Sequence, residues 1–220
     1  MNESEGTQAP SLIKSWADMR IWLRRDLIQR GALTPQKRVS LWVILKDPIN
    51  YFMTLLRLNE LSRNTRMFYP LAILIRVLFR RHSIRLGFSI PPNVFGPGLA
   101  IVHYGTIVVN SAVRVGCDCR IHVDVNIGGK AMIVASTKEA ATLSPQLGDR
   151  VYIAPGAKIF GPVKIGDACI IGANAVVNKS FPETGHVLVG NPAVSVSNNG
   201  SGSMIPKYET HSTLQNAHKR

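Results

Sequence analysis

Six histidines are the side chains of this chain that can take up a proton near neutral pH, and one of them, His103, lies in the segment Ile101-Val-His-Tyr-Gly-Thr-Ile-Val-Val-Asn110. A neutral imidazole can remove the proton of a hydroxyl as its oxygen attacks an electrophile. Taken alone, His103 reads better as a surface histidine capping a chain corner. The six histidines and three cysteines fall into no ligand spacing such as Cys-x-x-Cys, so no metal is expected.

The element that must position His103 is a repeat. Aliphatic residues recur every six positions as Val109, Val115, Ile121 and Ile127, and again as Leu147, Ile153, Ile159, Ile165, Ile171 and Val177. That period fits neither a helix nor a sheet strand. Gly or Asn follows most of these anchors, and Val113, Cys119, Val125, Ala157, Val163, Cys169 or Ala175 stands four residues on. An aliphatic anchor, a turn residue and a small inward residue describe one face of a triangular parallel β-coil. Three hexads close a coil of about 18 residues, and coils stacked roughly 4.8 Å apart bury a shared aliphatic column. Between Ile127 and Leu147 the frame slips by a number that is not a multiple of six. An excursion carrying Lys130, Ser136, Thr137, Lys138 and Glu139 is expected there.

The hexads, together with Ile90-Pro-Pro-Asn-Val-Phe-Gly-Pro-Gly-Leu99, the His103-Tyr104-Gly105 motif, Asn126-Ile-Gly-Gly129, Ile159-Phe-Gly161 and Gly190-Asn-Pro-Ala193, resemble the hexapeptide-repeat acyltransferases. Within them the chain is similar to the serine acetyltransferase-like branch found among polysaccharide-modifying enzymes. The resemblance covers roughly residues 68 to 196. It implies a left-handed parallel β-helix, a homotrimer, and acetyl-CoA lying in the groove between subunits. It also implies that His103 is the general base, that Ala154, Pro155 and Ala173 line the pantetheine, that Gly129 lies near the thioester, and that Asn178 and Lys179 reach the adenine-phosphate end. A backbone N–H of the Gly128-Gly129 turn is the candidate oxyanion donor. Val194 stands where similar enzymes carry a basic residue, leaving Lys179, Lys158 or Lys164 to supply phosphate charge.

Other departures bear on the acceptor. The aspartate that orients the base in serine acetyltransferases falls on Phe88 or Ser89, the aspartate before the base is Val102, and the second histidine falls on Ser144. Asp124 and His122, one coil on, or a backbone carbonyl, are the candidates left to orient His103. With those charges gone, the expected acceptor is a sugar hydroxyl of a surface polysaccharide or its precursor, on a glycan or nucleotide sugar. The alternatives are serine O-acetylation in cysteine biosynthesis and a non-catalytic β-helix scaffold.

Before the coils, Trp16, Met19, Trp22, Leu23 and Leu27 are spaced as a helix that Gly31 ends, with Asp18 and Asp26 placed on its outer face among Arg20, Arg24 and Arg25. Further helices are expected from Pro35, from Asp47-Pro48 and from Pro70. The resulting division is a disordered 1–10, a helical N-terminal region 11–87, a left-handed β-helix domain 88–196 and a flexible tail 197–220. Eighteen per cent charged and 45% hydrophobic residues are those of a folded chain.

The net charge of +13 is uneven: residues 1–90 carry 15 Lys/Arg against 6 Asp/Glu. No reading motif accompanies it, so nucleic acid is not expected as a partner. The run Leu71-Ala-Ile-Leu-Ile-Arg-Val-Leu-Phe79, closed by Arg80, Arg81 and Arg85, is too short to span a bilayer. It reads either as a helix packed on the coil or a trimer neighbour, or as residues 68–87 lying on an anionic membrane face. The polar start and the cysteines at inward positions lead to an expected cytoplasmic location, peripheral at the inner membrane face if that helix binds lipid.

Overall fold

A computed structural model describes residues 12–130 and 136–205; the expectations for residues 1–10 and for the end of the tail lie outside it. Four helices precede the coils: α1 (Trp16–Gln29), α2 (Leu41–Leu45), α3 (Pro48–Asn64) and α4 (Tyr69–Leu86). Ser15 caps α1 by accepting from the Asp18 N–H at 3.1 Å. Asp47 does the same for α3 toward Ile49 and Asn50, with Pro48 in the first turn, where its missing N–H costs nothing. The helix expected from Pro35 is instead the short α2, which Ser40 caps.

The coil region runs β1 (Phe88–Ser89), β2 (Ala100–Ile101), β3 (Ile107–Val109), β4 (Arg114–Val115), β5 (Arg120–Ile121), β6 (Val125–Gly128) and the excursion helix α5 (Thr137–Thr142). It continues through β7 (Gln146–Leu147), β8 (Tyr152–Ile153), β9 (Lys158–Phe160), β10 (Lys164–Ile165), β11 (Ile170–Ile171), β12 (Val176–Val177), β13 (Val187–Val189) and β14 (Val194–Ser197). These strands form three sheets, β1-β3-β6-β9-β12, β4-β7-β10 and β2-β5-β8-β11-β13-β14. Every pairing is parallel except β13 with β14. The register stacks Ile121 on Ile153 and Ile153 on Ile171, so the aliphatic anchors form the buried column that the six-residue period requires. Val115 pairs with Leu147 directly across the excursion, which therefore leaves the coil stack unbroken.

Two expectations are corrected here. Asp26 is fully buried, not on the outer face of α1. Its carboxylate takes Arg57 Nε at 2.7 Å and the N–H groups of Gly98 and Leu99 at 2.7 and 2.9 Å. Arg57 also pairs with Glu60 at 2.9 Å and donates to the carbonyls of Phe95 and Gly96. This buried network ties α1 and α3 to the first coil, because a buried ion stays stable only when its donors and acceptors are all matched. The helices and coils share one core.

Nor does the chain loosen at residue 197. β13 adds to β11, β14 turns back along β13, and the segment up to Ile205 folds over the outside of the coils. Ser201 and Ile205 are buried, and Ser201 Oγ donates to the Arg150 carbonyl at 2.5 Å. A polar, glycine-rich run carries no periodic signal for such docking.

Candidate active site

His103 projects from the corner between β2 and β3. Eight residues separate the inward anchors Ile101 and Val109, against six between Ile121 and Ile127 in the next coil, so this corner is the wider one. Gly105 adopts φ +137°, and a Cβ there would lie 2.5 Å from Val123 Cγ2. Only glycine fits. The Gly105 N–H donates to the Leu86 carbonyl at 3.0 Å, and the Ile107 N–H to the Gly87 carbonyl at 3.1 Å. Gly87 itself is the left-handed cap of α4. The end of α4 is thus hydrogen-bonded to the corner that carries His103.

The His103 ring is exposed and makes no hydrogen bond or ion pair with another described residue. Its centroid lies 6.3 Å from that of His122, which lies 5.0 Å from Tyr152. His122 Nε2 is buried without a partner. Burial, then the positive charge of Arg120 and the neighbouring His103, lowers the His122 pKa and keeps that ring neutral at physiological pH. Asp124 does not orient His103: it turns the next corner at φ +60° and pairs with Lys158 at 3.0 Å. Tyr152 was not singled out in the sequence, although its place just before the anchor Ile153 marks it as outward-facing.

The register sorts the expected coenzyme A residues. His122, Ala154 and Gly172 stack through the bonds His122 N–H to Ile153 and Ala154 N–H to Ile171. Pro155 and Ala173 therefore follow on the same corner column as His103, and both are exposed. Ala154 is buried and offers backbone more than surface. Gly129, Asn178 and Lys179 lie at the opposite edge of the β3-β6-β9-β12 face, past the ends of β6 and β12. Five residues of extended chain put roughly 15 Å between the two edges. An oxyanion donor must lie about 3 Å from the thioester oxygen and a general base about 3 Å from the hydroxyl that attacks the same carbonyl, so both crowd one reacting centre. One chain's His103 and Gly129 cannot.

At that far edge Gly128 faces the Phe160 ring and Gly129 faces Ser144, where a Cβ would come within 2.8 and 2.6 Å respectively. Ser144 is buried and donates to the Ala140 carbonyl at 2.8 Å. Lys179 Nζ sits 5.4 Å from the Phe181 ring centre. Phe88 is core, edge-on to Phe52 at 4.9 Å, and Ser89 is exposed.

Val102, next to His103, borders a cleft of about 280 Å³ lined also by Arg30, Lys46, Asp47, Asn50 and Arg120. Arg30 bridges it, donating to Asp47 at 2.9 Å, Asn50 at 2.7 Å and the Ile101 carbonyl at 2.9 Å. These charges come from separate helices and a coil, so no local motif announces them. Among the described residues, no group of three His, Cys, Asp or Glu side chains is placed to hold a metal ion.

Residues 144–179 match the family described as bacterial transferase hexapeptide (six repeats). A serine acetyltransferase of Helicobacter pylori is 32% identical over 163 residues, spanning 74% of this chain and 89% of the relative. The chain belongs to the serine acetyltransferase family. A Mycobacterium tuberculosis serine acetyltransferase is 38% identical over 121 residues, 54% of this chain and 50% of its own length, so the chain spans only half of that relative. The crystal structure of the Neisseria gonorrhoeae serine acetyltransferase superposes with a TM-score of 0.65 at 25% identity, covering 84% of this chain and 69% of that one.

Family membership makes the coil a left-handed β-helix, as expected, and places the chain among acyl-transferring enzymes. It overturns the expected acceptor. The relatives are named serine acetyltransferases, not polysaccharide-modifying enzymes. The absence of charge at Phe88, Ser89, Val102 and Ser144 does not leave the neighbourhood of His103 uncharged, because the helical region brings Arg30, Lys46 and Asp47 beside Val102.

Proposed function

We propose that this chain is a serine O-acetyltransferase that moves the acetyl group of acetyl-CoA to the hydroxyl of L-serine. The observation that carries the reading is the alignment with the Helicobacter pylori serine acetyltransferase over nearly that protein's whole length, with His103-x-Gly105 held at a widened coil corner.

In this reading His103 takes the proton of the serine hydroxyl as its oxygen attacks the thioester carbonyl carbon. A tetrahedral oxyanion forms, collapses and expels the coenzyme A thiolate, which receives the proton from the imidazolium. Pro155 and Ala173 flank the pantetheine along the column that His103 heads. The separation of His103 from Gly129 fits a homotrimer in which one copy's base edge faces another copy's far edge. The mixed charges of the Arg30, Lys46, Asp47 and Arg120 cleft suit a zwitterion. The setting proposed is the cytoplasm, where acetyl-CoA is made.

The test is thiol release from acetyl-CoA by the purified chain with and without L-serine. Serine-dependent release with O-acetylserine as product supports the reading. Release that ignores serine, or none from folded protein, overturns it.

A further inference from the structure

Helix α4 buries a narrow stripe, with Ala72, Ile75, Phe79 and Ser83 turned toward α3 and the first coil. Its outer face carries Leu71, Ile73, Leu74, Val77, Leu78 and Ile84, with Leu74 exposing 53% and Ile84 70% of their surface. Six large aliphatics on the outside of one helix exceed the scattered apolar exposure normal for a soluble surface. Arg76 and Arg80 flank this face and Arg81 and Arg85 join it toward the C-terminus, all exposed. From residue 61 to residue 90 the chain contains no Asp or Glu. Beside the first turn of α3, where His82 Nε2 meets the Pro48 carbonyl at 2.8 Å, the short α2 adds exposed Leu41, Trp42 and Leu45 with Lys46.

We infer that the outer face of α4 is a docking surface for an anionic lipid bilayer, on which the helix lies in the interface plane. Charge decides the occupant. A second copy laid symmetrically on this face would set arginines against arginines with no carboxylate between them, whereas anionic headgroups complement all four. No helix among the described residues is long and apolar enough to cross a membrane, so the contact is peripheral. This inference is independent of the acyl acceptor.

The experiment is co-sedimentation of the full chain with phosphatidylcholine vesicles, with and without phosphatidylglycerol. Binding is expected only to the anionic vesicles and should be released by high salt. Arg80→Gln with Arg81→Gln should weaken it about 25-fold, at roughly fivefold per arginine. Leu74→Glu with Val77→Glu should abolish it while circular dichroism and acetyl transfer in solution stay as in the parent. Failure to bind anionic vesicles at low salt, or equal binding to both vesicle types, overturns the inference. So does a drop in assembly mass of the Leu74→Glu, Val77→Glu variant in sedimentation, which would show the face to be a contact between copies.

Discussion

At the scale of single residues, the proposed site rests on an imidazole that forms no hydrogen bond or ion pair with a described side chain and on the backbone corner beneath it. His103→Ala leaves that corner intact, because Gly105 and Ile107 are tied to Leu86 and Gly87 through main-chain bonds. Its kcat should fall about 10²- to 10⁴-fold with the thermal melt unchanged. Parent-like turnover would remove His103 from the mechanism. His122 has a lowered pKa in the folded state, so the unfolded chain binds its proton more readily. Stability is therefore fully present above the ordinary value near 6.5 and declines as pH falls below it toward the folded pKa. His122→Gln should flatten that acid-side slope in urea titrations; an unchanged slope would place the titration elsewhere. The proposed role of His103 rests on the motif that surrounds it in the sequence. The cleft charges were not legible there, since Arg30, Lys46 and Arg120 are solvated cations in any local window and become a group only when α1, α2 and β5 meet.

Among the elements, the contact between helices and coils depends on the network of Arg57, Asp26 and Glu60. Arg57→Met removes the cation and leaves two buried carboxylates facing each other and the first-coil carbonyls. Chemical denaturation should show a loss of about 3 to 5 kcal/mol, the cost typical of breaking a buried pair. A loss near zero would mean the carboxylates find water. Periodicity located α1 and α3, yet it placed Asp26 outside, because a carboxylate among arginines on a helix looks like a solvated charge. Its partner lies 31 residues away in sequence.

For the whole molecule, β14 adds to the last strand of its sheet and the segment after it runs back along the outside of the coils. Arg120 donates to the Met204 carbonyl at 3.0 Å, Ser201 N–H to the Ala168 carbonyl at 2.8 Å, and Ile205 is buried. Ending the chain after Ser197 should cost about 2 kcal/mol, roughly one buried aliphatic side chain with its hydrogen bonds partly offset by ordering entropy. A truncated chain as stable as the parent would show the segment to be a passive wrap. The six-residue period alone determined the parallel coil from Val109 onward, its inward column and the excursion after Gly129, because a coil that buries one aliphatic per face repeats that spacing wherever its corners are alike. The motif around His103 was legible too, but the widened corner beneath it was not, since the hexad anchors begin only at Val109. Tertiary structure alone decided which polar groups are buried, which tail residues dock, and that His103 and Gly129 stand on opposite edges of one face. Those outcomes depend on pairings between residues far apart in the chain, and periodicity records only what recurs along it.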